Sequence, residues 1–422
     1  MIQPKTINRF NSTLKRANLL ARCYLHQSSL NTHHHSNDLL KILNQRILSS
    51  GPISIPIYTN LCLNHPQFGY YSRKDRLNES DPFGKTGDFI TSPEISQIFG
   101  ELIAIWFVSR WQNIGCPSRA RIIELGPGRG TLMADIIRTF QSIKSFKDVL
   151  QSVHLIENSQ FMRERQKQKL RLDESKQKVF WYDRIEQIPS AVDEWTMIIA
   201  HEFFDALPVH IFQKTEMGFR EVMVDIDDQR TVLPNFNPLR FVLSPRPTLA
   251  SQALITDDHK KLPSGTKLEL SPSSTQIAQQ LAKIIQPQFS SSPGGTGLII
   301  DYGAEHYFGH SLRGFYRHQT VDPLSNPGLT DITANVDFAA LKRAIELHAA
   351  TFGTISQRQF LLSMGIEVRT SQLKQSPDAS ERLIASFGMG EQYKFLAFES
   401  RMNAGQEEKV VYPFNSPVIG NR

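Results

Sequence analysis

The sequence predicts an α/β fold: a largely parallel sheet with helices on both faces, an N-terminal helical cap and an insertion. Three observations carry that expectation. Short apolar strands alternate with helical segments from Arg121 to Ala200. A glycine-rich turn joins the first of those strands to the first helix. The 422 residues, 40% of them apolar and only 21% charged, can fill the cores of two or three structural units.

Residues 1–37 carry Lys5, Arg9, Lys15, Arg16 and Arg22 and no acid, with Ile7, Phe10, Leu14, Ala17, Ala21 and Tyr24 along the opposite side of a helical wheel. This is the pattern of a mitochondrial transit peptide and linker; a disordered basic tail is the plainer alternative. The polar context of His33-His34-His35 reads as linker. The five leader cations supply most of the +6 net charge, so the remaining chain is nearly neutral and no nucleic-acid partner is expected. No run reaches the ~18 apolar residues of a spanning helix, so stable membrane insertion is not expected. The three cysteines, Cys23, Cys62 and Cys116, are too scattered for a disulfide framework or a metal site, and no metal is expected.

Residues 38–118 read as a cap segment. Helical spacing runs over Asp38–Ser49, and the Pro, Gly, Asn and Tyr content of 51–92 reads as a long shaped loop. Ser92-Pro93-Glu94 then predicts a helix start, with Ser92 as cap, continuing through Ile98, Leu102 and Trp106. Residues 119–422 form the chemistry-bearing domain. Strands are expected at Arg121–Leu125, Val153–Ile156, Val179–Tyr182 and Met197–Ala200, with helices at Thr131–Phe140, at Phe161–Leu170 and after Ala200. An insertion of weak regularity spans about 214–273. Beyond it come a helix at Gln276–Ile285, a strand at Leu298–Asp301, a loop to Asp331, a helix from Asp337 to Ala349 and a strand at Tyr393–Glu399.

The most informative stretch is Glu124-Leu125-Gly126-Pro127-Gly128-Arg129-Gly130. Glycines let the backbone approach a ligand closely, and the following helix offers free N–H groups. The dinucleotide fingerprint needs G-x-G-x-x-G, whereas the third glycine here is one position early. Glu124 before the turn would repel a pyrophosphate and attract a cation. S-adenosyl-L-methionine, a nucleoside with a sulfonium and an amino group, fits better. Glu157, at the end of the next strand, has acceptors for both ribose hydroxyls.

Several motifs taken together resemble the MidA family. They are Gly87-Asp88-Phe89-Ile90-Thr91-Ser92-Pro93-Glu94, the run from Glu124, His201-Glu202-Phe203-Phe204-Asp205-Ala206-Leu207-Pro208, Asp301-Tyr302-Gly303, and the stretch from Gly328 to Phe338. The resemblance spans roughly Asp38 to Phe398 and departs at His201, where most members carry Asn. It implies a class I (Rossmann-like) S-adenosylmethionine-dependent methyltransferase sheet. For mitochondrial members it further implies a matrix protein that symmetrically dimethylates arginine on a core subunit of the peripheral arm of respiratory complex I. A non-catalytic complex I assembly chaperone on the same fold is the alternative. The resemblance also lays Thr91 and Ser92 over the cofactor cleft.

Arginine is a hard acceptor because its guanidinium stays protonated, so carboxylates near the cofactor are the residues to seek. Glu202 and Asp205 follow the fourth strand and are the catalytic candidates; capping is the plainer role for Asp205. Phe203 and Phe204 suit either a pocket wall or plain core. Asp183, after the third strand, is placed to accept from an adenine amino group, or is a surface turn acid. Asp301, Asp331 and Thr333 are weaker substrate candidates. Gly84-Lys85-Thr86 lacks the preceding glycine and strand of a phosphate loop, and His306 with His310 lacks a metal-binding helix pattern.

Overall fold

The computed structural model describes residues 38–72, 90–170, 178–191, 193–227, 237–289, 292–373, 377–401 and 411–414. The basic leader, His33–His35, Gly84-Lys85-Thr86 and Gly87–Phe89 lie outside the described residues. Residues 38–50 are helical, as their spacing predicts. The expected long loop after Gly51 is instead structured at its start. Strand β1 (Ile53–Ser54) leads into a helix, Ile55–Asn64, that buries Ile55, Tyr58, Thr59, Cys62 and Leu63 at helical spacing. Pro56 is tolerated because it lies in the first turn, where no intrahelical N–H bond is lost.

The next helix start moves back by one residue. Thr91, not Ser92, is the N-cap of a four-residue turn, Ser92–Ile95. Ser96 is extended at φ −154° and breaks the helix there, then caps the 17-residue helix Gln97–Asn113 by accepting from the Ile98 N–H. Phe99, Ile103, Trp106 and Phe107 of that helix are fully buried. Arg110, 1% exposed, clasps Glu399 through Nε–Oε1 at 2.6 Å and Nη2–Oε2 at 2.9 Å. This bidentate pair pins the N-terminal helix to the far strand of the sheet.

Strands β2 (Ala120–Leu125), β3 (Leu150–Ile156), β4 (Lys178–Tyr182) and β5 (Trp195–His201) form the expected parallel array, each starting slightly earlier than the sequence suggests. Helices Thr131–Ser142 and Gln160–Leu170 connect them. No helix follows β5, contrary to expectation. Asp301 Oδ2 accepts from the Phe204 and Asp205 N–H groups at 3.0 and 3.3 Å, and Glu202 takes a left-handed φ of 49°. The chain therefore turns, and passes straight into β6 (His210–Thr215).

The stretch read as a weakly regular insertion is a second sheet. β6, β7 (Gly218–Ile226), β8 (Leu239–Leu243) and β9 (Lys267–Leu270) join β1 in the order β1-β7-β6-β9, with β8 on β7. All its pairings are antiparallel, Ile53 meeting Val224. Leu39, Leu43, Tyr58, Val209 and Val224 form one core between this sheet and the N-terminal helices.

After the helix Pro272–Ile284 comes β10 (Gly295–Ala304). The expected loop to Asp331 holds a small sheet of β11 (Arg313–Tyr316), β12 (Gln319–Val321) and β13 (Asp331–Thr333). β14 (Val336–Asp337) pairs with β10, and Asp337 caps the helix Phe338–Ile345. That helix stops short of Ala349, which instead opens β15 (Ala349–Ser356). Short helices over Gln357–Ser363, Ile366–Leu373, Pro377–Ile384 and Met389–Gln392 lead to β16 (Tyr393–Ser400). The central order is β15-β16-β10-β5-β2-β3-β4, with β16 antiparallel to β10. Ile122, Phe140 and Phe395 belong to the core on one face, and Ile123, Leu281 and Phe338 to the core on the other. The parallel strands all end on the same side, which is where an α/β sheet holds its ligand.

Candidate active site

The carboxyl ends of β2, β3, β4, β5 and β10 open on one cleft of about 1220 Å³. Gly126, Pro127 and Gly128 line it. Gly128 sits at φ 51°, and a Cβ built there meets no protein atom within 4 Å, so the backbone borders open cleft. Gly130 serves differently from expectation. It is the N-cap of the Thr131–Ser142 helix at φ 82°, and its Cβ position is 3.5 Å from Gln166. Its role is close packing rather than ligand contact.

Glu124 is 2% exposed and its Oε2 has no hydrogen-bond partner. Burial pushes its carboxyl up to about 8. An orphaned acid in the cleft wall suits a cationic ligand group. Glu157 also lines the cleft; its Oε1 accepts from the Ser159 N–H at 2.8 Å and its Oε2 from Gln166 Nε2 at 3.3 Å. Those contacts hold the carboxylate still and leave further acceptor sites for ribose hydroxyls. Gln166 was not singled out by the sequence. It is fully buried, donates to the Gly128 carbonyl at 2.7 Å and accepts from Trp181 Nε1 at 2.8 Å, and so fixes loop and acid together. No local pattern marks a glutamine on a charged helix for that task.

Asp183 stands on the exposed rim of the cleft. One of its oxygens accepts from Arg163 Nη2 at 2.5 Å, which leaves the other for a ligand amino group. Thr91 lines the cleft, but Ser92 does not present its side chain there as expected. Ser92 is fully buried with its hydroxyl on Gln357 Oε1 at 3.3 Å, because the cap position shifted to Thr91. Glu94, two residues on, accepts from Thr131 Oγ1 at 2.6 Å and lies 3.5 Å from Arg129 Nη1. The N-terminal segment is thereby tied to the glycine loop.

Beside the loop, the β5 and β10 ends bring together a buried acidic group. Glu202 Oε1 accepts from Tyr393 Oη at 3.0 Å, Asp205 Oδ2 from Tyr302 Oη, and Asp331 Oδ1 from Tyr71 Oη at 3.0 Å. Burial, then the nearby Asp205, raises Glu202 to about 8. Burial raises Asp205 to about 6, and burial with Asp205 and Glu202 alongside raises Asp301 well above the usual range. Asp205 Oδ1 has no partner. His201 adds no charge, because burial drops it to about 3. Its ring packs edge-on to Phe99 and stacks toward Tyr393, which is the setting of the His that departs from the family pattern. Phe203 lines the cleft against Gly126, while Phe204 is core. Asp301 acts through the backbone of the 204–205 turn, and Thr333 is buried beside the group. Among the described residues no lysine or arginine hydrogen-bonds Glu202 or Asp205; Arg313 reaches Asp205 only through its charge. A planar cation that entered here would find acceptors already placed. Among the described residues no group of His, Cys, Asp and Glu could hold a metal ion.

Glu124 and Glu202, near 8 in the fold, compare with 4.5 for an ordinary glutamate. Between those values the folded protein keeps protons that the unfolded chain has released. Their contribution to stability is therefore complete below about pH 4.5 and lost as pH rises through about 8. The thermal midpoint of the ligand-free protein is expected to fall over that window, with a shallower slope in Glu124→Gln. An unchanged slope in the variant would mean that this carboxyl is ionised throughout.

A family model described as "Putative S-adenosyl-L-methionine-dependent methyltransferase" matches residues 102–355. The chain is 38% identical over 412 residues to the mitochondrial protein arginine methyltransferase NDUFAF7 of Danio rerio, covering 91% of this chain and 92% of that protein. It is 38% identical over 416 residues to the Homo sapiens protein of the same name, covering 90% and 89%. A crystal structure of a COG1565 superfamily member from Burkholderia thailandensis, bound to S-adenosyl-homocysteine, matches with a TM-score of 0.69 at 26% identity. It covers 88% of this chain and 94% of that one.

Proposed function

The chain belongs to the S-adenosyl-L-methionine-dependent methyltransferase family that these relatives share, the MidA family of the motif resemblance, and from that premise we propose that it methylates arginine in a protein. The finer reading is symmetric dimethylation of a core subunit of the peripheral arm of complex I, in the mitochondrial matrix. The resemblance supplies that substrate, and the mitochondrial names of the relatives and the acid-free basic leader support the compartment. One observation carries arginine: half-buried Glu202 and buried Asp205, in the cleft beside the glycine loop, are held by tyrosine hydroxyls and lack a hydrogen-bonded cation among the described residues.

Bound S-adenosyl-L-methionine supplies an electrophilic methyl group on a sulfonium. Glu124, Gly126, Pro127, Gly128, Glu157 and Thr91 would hold it, with Asp183 at the rim. Glu202 and Asp205 grip the guanidinium and draw its charge toward the nitrogens that do not react. Methylation forms an N–C bond, breaks the S–C bond and releases one proton from the guanidinium. Glu202, near 8 in the empty cleft, ionises when the guanidinium arrives, and the carboxylate so formed is placed to accept that proton. Position and electrostatics do the rest.

The test uses the purified protein with methyl-labelled S-adenosyl-L-methionine and isolated peripheral-arm core subunits of complex I. Label is expected in symmetric dimethylarginine of one subunit. Label on lysine or on a carboxylate would overturn the arginine reading. Absence of label, together with complex I assembly restored by a variant that cannot bind cofactor, would establish the chaperone alternative.

A further inference from the structure

β16 runs antiparallel to β10, so its first residue, Tyr393, stands at the cleft end of the sheet, directly opposite Tyr302 of β10. The two are cross-strand partners with their rings edge to face at 5.6 Å. Each donates its one hydroxyl proton to a different acid: Tyr393 to Glu202 Oε1 at 3.0 Å, and Tyr302 to Asp205 Oδ2. Both rings are held. Arg313 lies over Tyr302, its guanidinium carbon 4.9 Å from the ring centroid, and is fixed in turn by the Ser311 carbonyl at 2.9 Å and Asn335 Oδ1 at 2.7 Å. Tyr393 is buried, with the near-parallel His201 ring 6.5 Å away.

The acids are held at their own end as well. Glu202 keeps its left-handed φ of 49°, its N–H donates to the Ile300 carbonyl at 2.9 Å, and its carboxyl also accepts from the Ser92 N–H of the N-terminal turn. A non-glycine residue at that φ is strained, and such strain persists only where the surrounding contacts fix it. With Tyr302 on Oδ2, Asp205 is left with Oδ1 buried and unpartnered, the oxygen that remains for a guanidinium. Phenylalanine at either tyrosine would fill the same space; what the hydroxyl adds is a donor aimed at a carboxyl.

With Glu202 and Asp205 read as the grip on arginine, on which this rests, we propose that Tyr393 and Tyr302 are positioning residues for methyl transfer, Tyr393 aiming Glu202 and Tyr302 aiming Asp205 at the guanidinium. The register of β16 on β10 then sets how far apart the two hydroxyls, and with them the two carboxyls, stand. Hydroxyl donors also favour the charged carboxylate that such a grip needs. The remaining groups facing Glu202 do not: Asp205, Asp301 and Asp331 are acids, and His201, its Nε2 3.5 Å from Oε1, is uncharged.

The experiment is single-turnover transfer from methyl-labelled S-adenosyl-L-methionine to isolated peripheral-arm core subunits of complex I. Tyr393→Phe is measured alone, with Glu202→Gln alone, and with the two combined; Tyr302→Phe and Asp205→Asn form a parallel set. Each Phe variant is expected to bind S-adenosylhomocysteine as the wild type does and to lose about tenfold in rate, the worth of one hydrogen bond to a charged group. Added to Glu202→Gln, Tyr393→Phe should cost less than about twofold, because the charge it aimed is already gone. Without the hydroxyl Glu202 ionises at higher pH, so the rise of kcat/KM toward about pH 8 should move up by on the order of one unit in Tyr393→Phe. Arginine label from the wild type with an undiminished Tyr393→Phe rate, an equal loss in the Glu202→Gln background, or an unmoved pH profile would overturn the proposal and leave the arginine reading standing. No arginine label from the wild type would overturn that reading and this proposal with it. If one Phe variant also loses S-adenosylhomocysteine affinity, the other set decides; if both do, the hydroxyls serve the fold and the proposal falls.

Discussion

Glu202→Gln is expected to retain cofactor binding and lose about a hundredfold in methyl transfer, the equivalent of ~3 kcal/mol for one preorganised electrostatic group. The structure explains why the fold should survive. Glu202 is half-buried and sits near 8, so in the ligand-free protein at neutral pH it is largely protonated, and a neutral amide reproduces that state. The amide oxygen can still accept from Tyr393 Oη, which now bonds Oε1 at 3.0 Å. What glutamine cannot do is ionise when a guanidinium arrives, or take up the proton that methylation releases. The loss should therefore fall on turnover more than on apparent affinity, and the wild-type rise in rate toward about pH 8 should flatten in the variant. Single-turnover transfer at saturating cofactor is the measurement. A rate within about threefold of wild type would place Glu202 outside the chemistry.

The part of this site that was legible in the sequence is the part that is local. Glu124, the glycines and Glu157 lie at strand ends whose β–α periodicity is strong, and a glycine turn between strand and helix has a direct physical meaning. Glu202 and Asp205 were legible for the same reason, although the helix expected to join them is a turn held by Asp301. The tyrosines were not. Tyr71, Tyr302 and Tyr393 reach the acids from three distant segments; Tyr302 lies in the Asp301-Tyr302-Gly303 motif but nothing local pairs it with Asp205, and nothing nearby in the sequence marks the other two. Gln166 was hidden in the same way.

The fold shows the same division. The parallel strands β2, β3 and β5 are buried on both faces and read as apolar runs, whereas the second sheet alternates weakly. One of its strands, β1, comes from the opposite side of the parallel array in sequence, so its pairing with β7 leaves no local trace. The helix Ile55–Asn64 was missed because Pro, Asn and Tyr suggested a loop, while its buried face depends on packing against that second sheet.

Gly128→Val should reduce S-adenosylhomocysteine affinity by a hundredfold or more, ~3 kcal/mol in binding, while the protein stays folded. Two effects combine. Gly128 holds φ 51°, where a branched side chain is strained by about 1–2 kcal/mol, and the protein must absorb that strain or move the loop. Movement is opposed, because the Gly128 carbonyl accepts from the buried Gln166 Nε2 at 2.7 Å. The valine methyls must then point where a Cβ meets no protein atom within 4 Å, which is the cleft itself. Since nothing in the fold is displaced, the loss of stability should stay near the strain alone, a few degrees in thermal midpoint for a chain of this size. Binding suffers far more, because the space filled is the ligand's. Gly128→Ala separates the contributions: it shares the unfavourable φ, adds only one carbon, and should bind with intermediate affinity. Calorimetry against S-adenosylhomocysteine, with circular dichroism to confirm folding, makes the comparison. Near-normal affinity in the valine variant would remove this loop from the cofactor site and leave the orphaned Glu124 carboxyl without its ligand.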